Sequence, residues 1–591
     1  MRNLPRRVLS CVCLVCVCLL CARPCLAQAV EAYPVPLSAE IAVGADSKGA
    51  KAPSIPAPAA KSLRVVAPRN GVVNGQILLK AAEPATTRVT VSDLAGAGGA
   101  KLGADRVQVR YGQYVTGEKG LSVYRWQKDI GVSATPAEEK ASAYNIAPGY
   151  WRVDALLSAK ECELEPDRPR CAWLTFTVAR DAAAGLYQGT ATVAGAAAPI
   201  PIELEVVDAV VPDLAQSPMS NDIRPMWEVI AFGNGVPLEE CWKSERFWTV
   251  TQAYLEKLGQ LRVNNCGIAI LAPSTSSCLG MVKWTRKGDG WSWDYTVLDR
   301  FIAAYRKAVG EPRVVDATAL VHDEKKSGLS FLYTDADGKP AVETLSDGPE
   351  AADLAAAFVK DLTAHLAALK LDKKLVVGVW HDKMQHKGGT IRERLLKDFP
   401  DLKVSLWAHS DGWGMPLVDR VGFYMAKAHT DEKGYPYAIK SGMRPATEKG
   451  FKFGPMAWDA IARNYVGLGQ VDFANWSEDR RAKEYTYYGA GMFASWQRHL
   501  VYPMQDGQVV TGVLYELFRE YAQDYELLRL MQAKGAKIGF AADPRASILE
   551  LGEYDKAGGR FGTKIDAAKA ESVHQNILRD AGKAQVRPEG K

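Results

Sequence analysis

The chain has 591 residues, 47% of them hydrophobic and 24% charged, with 15 tryptophans, enough apolar material for two or three domains with their own cores. That balance excludes wholesale disorder. The net charge of +5 is small for this length, and lysine and arginine are interspersed with aspartate and glutamate, so no basic stripe marks a nucleic-acid partner.

Residues 1–27, MRNLPRRVLSCVCLVCVCLLCARPCLA, set Arg2, Arg6 and Arg7 before an apolar run from Val8 to Ala22 and end on small residues. This is the pattern of a secretory signal peptide, with cleavage expected near Ala27 or Ala29 and no lipobox before Cys21 or Cys25. The run is shorter than the roughly 20 residues of a membrane span, and no later segment approaches that length. The expectation is an exported chain, periplasmic or extracellular, with no integral membrane segment after cleavage. Six of the 11 cysteines fall in this leader, leaving Cys162, Cys171, Cys241, Cys266 and Cys278. In an exported protein Cys162 and Cys171 either bridge the loop CELEPDRPRC or stay as two thiols, and both readings remain open. No CxxC pair supports a zinc site, and no cofactor is expected.

Residues 28–62, with the stretch SKGAKAPSIPAPAAK, read as a flexible linker. Over 63–212 short alternating strands follow one another (SLRVVAP, GQILLKA, RVTVSDL, VQVRYGQ, WLTFTVA, GLYQGTATVAG, PIELEVVDAVVP), the texture of an all-β sandwich. From 213 to 505 apolar strands alternate with helical segments. NNCGIAILAPS follows VTQAYLEKLGQLRV, RVVDATALVHDE follows YTVLDRFIAAYRKAV, KLVVGVWHDK follows AADLAAAFVKDLTAHLAALKL, and KVSLWAHSDGW follows RERLLKDF. RVGFYMAK and QVDFANWSE come later, and DADGKPAVETL reads as an inserted hairpin. Six to eight such units in about 300 residues favour a central (β/α)8 TIM-type barrel. Residues 506–591, with GVLYELFREYAQDYELLRLMQAKG, read as a helical C-terminal extension and tail.

A barrel of this kind builds its active site from loops at the C-terminal ends of its strands. That rule selects Asp222 and Arg224, Asp316, His322 with Asp323 and Glu324, Trp380 with His381 and Asp382, Trp407 and His409, Tyr424, and Asn475 with Trp476. Flat aromatic faces suit sugar rings, and carboxylates bind hydroxyls or deliver protons, so the inventory fits a glycan or oligosaccharide partner. The plainer readings are that the tryptophans pack, that single aspartates cap helices, and that His322 to Glu324 is a solvated turn. His381, Asp382 and His386 do not follow HExxH spacing, so no metal is assigned. No GxSxG elbow, P-loop or dinucleotide fingerprint stands in a supporting context, and no motif specifies an oligomeric state.

Several stretches together resemble glycoside hydrolase family 123 and the related domain of unknown function 4091. APRNGVVNGQI and WLTFTVARDAAAGLYQGTATV are similar to paired signatures of the N-terminal domain. VYPMQDG and ELFREYAQDYELL resemble the C-terminal YPG..DG and E.LREG..DYE.L patterns, and YVGLGQVDFANWS resembles the segment that closes the barrel. The resemblance implies a β-sandwich, a (β/α)8 barrel and a helical extension, with retaining β-N-acetylgalactosaminidase chemistry. In that chemistry the substrate's own 2-acetamido oxygen attacks the anomeric carbon. An adjacent Asp-Glu pair assists, the Asp holding the acetamido nitrogen and the Glu acting as general acid and base.

This chain departs from the pattern at the place the pair should occupy, the end of LVVGVWHDK. In one register His381 and Asp382 stand there, and in another, aligned through Met384, Trp380 and His381 do. A literal Asp-Glu pair, Asp323 and Glu324, sits one strand earlier, and GVLYE replaces the family's S.R.E. Three readings follow: a glycosidase for β-linked N-acetylhexosamine with Asp382 as proton donor and His381 assisting, a non-catalytic glycan binder on a degenerate glycosidase scaffold, or another hydrolytic chemistry using Asp323, Glu324 and His381.

Overall fold

The computed structural model describes residues 30–44, 60–119, 151–221, 227–237, 240–271, 280–321, 328–380, 390–408, 420–423, 438–441, 453–462, 464–469, 486–489, 500–555, 560–565 and 567–588, with a few isolated positions between them. The leader and its cleavage positions lie outside the described residues.

The N-terminal region is β-rich. A nine-stranded sheet runs in the order Val30–Val35, Val72–Ala81, Arg170–Thr177, Val107–Lys119, Trp151–Leu157, Gln508–Gly512 and Val501–Gln505, with Ala42–Val43 and Thr486–Gly489 pairing alongside. A six-stranded sheet is built on Leu63–Arg69, Ile200–Val210 and Gly185–Val193. The two sheets share one apolar core that includes Ile77, Leu79, Leu174 and Phe176 from the first and Val65, Ala191, Ile202 and Leu204 from the second. Strand alternation sends Asn74, Gln76, Trp173 and Thr175 to the opposite face of the large sheet, where they are also buried.

Two boundaries differ from the sequence reading. Part of the expected linker is structure: Val30–Val35 pairs antiparallel with Val72–Ala81, and Trp151 and Arg152 pair with Ala42–Val43. The apolar positions Val30, Tyr33, Val35 and Ile41 are buried, and that burial outweighs the Ala- and Pro-rich composition further along the segment. The expected helical extension likewise starts with strand Gln508–Gly512, which joins the N-terminal sheet through Ala155↔Gly512, and the helix begins at Val513. Cys162 and Cys171 are free, buried thiols on different strands.

The central region carries a seven-stranded sheet in the order Asn265–Ala269, Val314–Val321, Leu375–Trp380, Lys403–Ala408, Arg420–Phe423, Ala438–Ser441 and Gly467–Gly469. Every neighbouring pair is parallel. Short runs such as LVVGVW suit this because parallel strands are covered on both faces, and Leu375, Val376 and Val377 are all buried. Helix Glu245–Gln260 precedes the first of these strands, and helices Thr296–Ala308, Pro349–Ala368, Thr390–Asp398 and Phe453–Ala462 lie between the strands in sequence. In the first, the Ser244 hydroxyl accepts from the Phe247 amide as an N-cap, and Phe247, Val250, Thr251, Tyr254, Leu255 and Leu258 form the buried stripe. The DADGKPAVETL segment belongs to an antiparallel hairpin, Gly328–Thr334 with Pro340–Ser346.

The first and last of the seven strands both meet one short segment, Met219–Asn221. Asn221 bridges in parallel to Val263, and its amide donates to the Asn264 carboxamide oxygen (3.1 Å). On the other side the Ser220 amide donates to the Val466 carbonyl (2.8 Å), and the Leu468 amide donates to the Asn221 side-chain oxygen (2.8 Å). Gly467 makes this approach possible, because a Cβ there would stand 2.4 Å from the Ser220 carbonyl oxygen. We expect Gly467→Ala to lower stability by about 1–3 kcal/mol, the usual effect of overpacking, measured as a shifted urea midpoint. An unchanged midpoint would show that the contact is loose.

Among the described residues no helix is long and apolar enough to cross a membrane.

Candidate active site

The parallel sheet brings a set of strand ends to one level. Val321 is register-paired with Val379, Trp380 with Trp407, and Ala408 with Phe423. The last described residues of four neighbouring strands therefore stand within about two residues of one level, at the roughly 4.8 Å spacing of paired strands. The last described residue of each stands immediately before a nominated residue: Val321 before His322, Trp380 before His381, Ala408 before His409, and Phe423 before Tyr424. The chain thus leaves for Asp323 and Glu324, and for His381 and Asp382, from adjacent strands.

His322, Asp323, Glu324, His381, Asp382, His409, Tyr424, Asn475, Trp476, Asp222 and Arg224 themselves lie outside the described residues. Trp380 and Trp407 are placed by their backbone as register partners at the ends of adjacent strands. Asp316 is placed differently from the expectation. It is the third residue of the eight-residue strand Val314–Val321, it pairs with Gly267 and Val376, and it is fully buried. The five residues beyond it carry the strand on for roughly 16 Å, so Asp316 belongs to the interior of the sheet and not to its C-terminal rim. The apolar run after it, ATALV, is the signal that the strand continues.

No group of three or more metal-ligating side chains occurs among the described residues. A row of buried carboxylates runs along helix Val513–Ala533. ELFREYAQDYELL puts Glu516, Glu520 and Asp524 four residues apart, on one stripe of that helix, and all three are buried. Glu516 accepts from the Arg110 guanidinium (2.7 Å) and the Thr511 hydroxyl (3.0 Å). Burial pushes the Glu516 carboxyl up, but Arg110 and Arg519 outweigh it and hold the group below its ordinary value.

Glu520 accepts from the Asn74 amide (3.1 Å) and side chain (2.7 Å), and lies 3.0 Å from His574 Nε2. Asp524 accepts from Trp458 Nε1 (2.9 Å) and lies 2.8 Å from His574 Nδ1. Burial would lower the His574 pKa, yet Asp524 and Glu520 raise it to about 10, so the ring is a buried cation. Glu526 joins Arg262 (2.7 Å) and Ser217. The signature residues of this helix therefore tie the N-terminal sheet, through Asn74 and Arg110, to the central region, through Trp458 and Arg262. Sequence reasoning found the helix but not this role, although the four-residue spacing of carboxylates in an apolar helix marks it.

Family models match in two places: the glycoside hydrolase 123 N-terminal domain over residues 48–195, and the glycoside hydrolase 123 catalytic domain over residues 234–426. The second span contains all four level strand ends. Among solved structures, a family 123 glycoside hydrolase from Clostridium perfringens, described for its glycolipid glycan hydrolysis, aligns with a TM-score of 0.71 at 13% identity, covering 94% of this chain and 97% of that one. A putative alpha-galactosidase/melibiase from Bacteroides fragilis aligns at 9% identity over 78% of this chain and 79% of that one, with a TM-score of 0.22 that carries no argument about shape. No curated protein matches. The two models together span more than half of the chain, and the fold agrees over nearly its whole length: the chain belongs to glycoside hydrolase family 123.

Proposed function

We propose that the chain is an exported glycosidase for β-linked N-acetylhexosamine, of N-acetylgalactosamine type, acting by substrate-assisted retaining hydrolysis in a (β/α)8 barrel. The observation that supports the reading is the level register of four parallel strands whose last described residues precede His322, His381, His409 and Tyr424 in the chain. The contacts of Met219–Asn221 with both the first and last strands support barrel closure, that segment serving as the eighth strand. The solved relative is described for glycolipid glycan hydrolysis, which favours a glycan of that kind as substrate.

In this mechanism the substrate's acetamido oxygen supplies the nucleophile, and Asp382 delivers a proton to the departing oxygen and takes one from water afterwards. His381 accepts the acetamido N–H in its neutral form. Asp382 is one methylene shorter than the family's Glu, so the sugar sits closer to the strand end for the proton to reach.

Turnover of an aryl N-acetyl-β-galactosaminide by the mature chain, lowered about 10²–10⁴-fold in Asp382→Asn as for loss of a general acid, is the expected result. The missing Asp-Glu pair after Trp380 favours the non-catalytic glycan binder as the second reading. Glycan binding without turnover would select it, and neither binding nor turnover would overturn both.

A further inference from the structure

Two insertions leave the parallel sheet from the same end as the candidate active site. One follows strand Asn265–Ala269 and forms the hairpin Lys283–Lys287 with Gly290–Asp294, and the other follows Val314–Val321 and forms Gly328–Thr334 with Pro340–Ser346. They join into one four-stranded sheet through the parallel contact Thr285↔Thr334. Its root is fixed at the strand end, where the Met281 amide donates to the Ala269 carbonyl (2.7 Å) and Trp284 Nε1 donates to the Ile270 carbonyl (3.2 Å).

The register puts Trp284, Arg286, Trp291, Trp293, Phe331 and Tyr333 on one face. Helix Pro349–Ala368 covers only part of it. Phe358 of that helix packs on Trp284 (centroids 4.5 Å apart) and Trp293 (5.6 Å), and Trp284 and Phe331 are buried. Towards the outer end the rings of Trp291 and Tyr333, 5.1 Å apart and nearly perpendicular, are half-buried. The Arg286 guanidinium lies 5.6 Å over the Trp291 ring and 3.6 Å from the Glu343 carboxylate, with side-chain exposures of 47% and 26%.

We propose that Trp291, Tyr333, Arg286 and Glu343 form an outer saccharide-binding subsite, which holds sugar units of a glycan whose terminal residue occupies the strand ends. This rests on the glycosidase or glycan-binder reading above. Fixed aromatic faces take the apolar faces of pyranose rings, while a guanidinium and a carboxylate beside them offer donors and acceptors to ring hydroxyls. A protein partner fits less well, because a stable protein interface takes roughly 800 Å² from each side. Two half-buried rings with one ion pair are the scale of one or two sugar units. Both insertions follow strands of the sheet on its C-terminal side, the side on which the candidate residues His322 and His381 come next in the chain.

The test compares an aryl N-acetyl-β-galactosaminide with an oligosaccharide several units long that carries the same terminal sugar, using the whole mature chain. In Trp291→Ala and in Tyr333→Ala the ratio of kcat/KM for the long substrate to that for the short one falls about three- to tenfold, the scale of one aromatic contact. Because Trp291 also packs on Trp284 (6.1 Å), the pair of substitutions Arg286→Gln and Glu343→Gln gives a version that leaves the rings in place, and it lowers the same ratio. An unchanged ratio in all these variants overturns the subsite while leaving the glycosidase reading intact. If the wild type binds the oligosaccharide without hydrolysing it, affinity electrophoresis replaces the ratio, and undiminished retardation of the variants overturns the subsite. A wild type that neither binds nor hydrolyses overturns both proposals.

Discussion

Replacing Arg110 with methionine is expected to destabilise the protein by about 3–5 kcal/mol, the range for removing one partner of a buried ion pair. Arg110 is 4% exposed and its guanidinium donates to the Glu516 carboxylate (2.7 Å) and to the hydroxyls of Thr511 (2.5 Å) and Thr175 (2.7 Å). Without it Glu516 keeps the Thr511 hydroxyl and Arg519 at 3.6 Å, too little to replace the water it lost on burial. The sign of the pH effect follows. A carboxyl held below its ordinary value adds stability above its unfolded pKa, near 4.5, and loses that contribution as pH falls through the lower folded value. The variant reverses this, so its deficit, read from urea denaturation, shrinks as pH falls below about 5. Adding Glu516→Gln to Arg110→Met recovers part of the loss, since no buried charge then stands alone. A single variant with wild-type stability would show that the pair contributes nothing net.

His574→Leu has an expected effect of the same size, about 3–5 kcal/mol near neutral pH, because it leaves Glu520 and Asp524 buried without their shared cation. Its signature is the pH profile. A histidine whose pKa rises on folding from 6.5 to about 10 stabilises fully below 6.5, and that contribution is lost as pH climbs towards 10. Glu571, lifted to about 7 first by burial and then by Glu520, acts in the same direction at lower pH: its neutral form is favoured, and stability is lost as pH rises from 4.5 through 7. The wild type therefore loses stability steadily on the alkaline side, and His574→Leu removes most of the slope between pH 7 and 10. Parallel slopes in the two proteins would contradict this assignment.

The parallel strands were legible because LVVGVW and KVSLWA are short, β-branched or aromatic runs between helical patterns. Asp316 was misread because a carboxylate in an apolar strand looks like a terminus, whereas the strand continues for five residues past it. Val30–Val35 was hidden because six residues flanked by Ala- and Pro-rich chain carry no periodic signal. What holds them is a partner, Val72–Ala81, that composition does not reveal. The tie between Glu520, Asp524 and His574 joins residues about 50 apart in the chain, and only packing of helix Ala567–Lys583 on helix Val513–Ala533 brings them into reach.

The large N-terminal sheet takes strands from both ends of the chain, and this sets an order on folding. Asp154, fully buried, receives the Leu514 amide across 360 residues, and the Tyr502 hydroxyl also bonds to it. At a synthesis rate of roughly 5–20 residues per second, the second partner emerges about 20–70 s after the first. During that interval Trp151–Leu157 lacks its neighbour Gln508–Gly512 and keeps an unsatisfied ladder edge. A fragment ending before residue 500 keeps that edge open permanently, and it is expected to aggregate more readily than the whole chain.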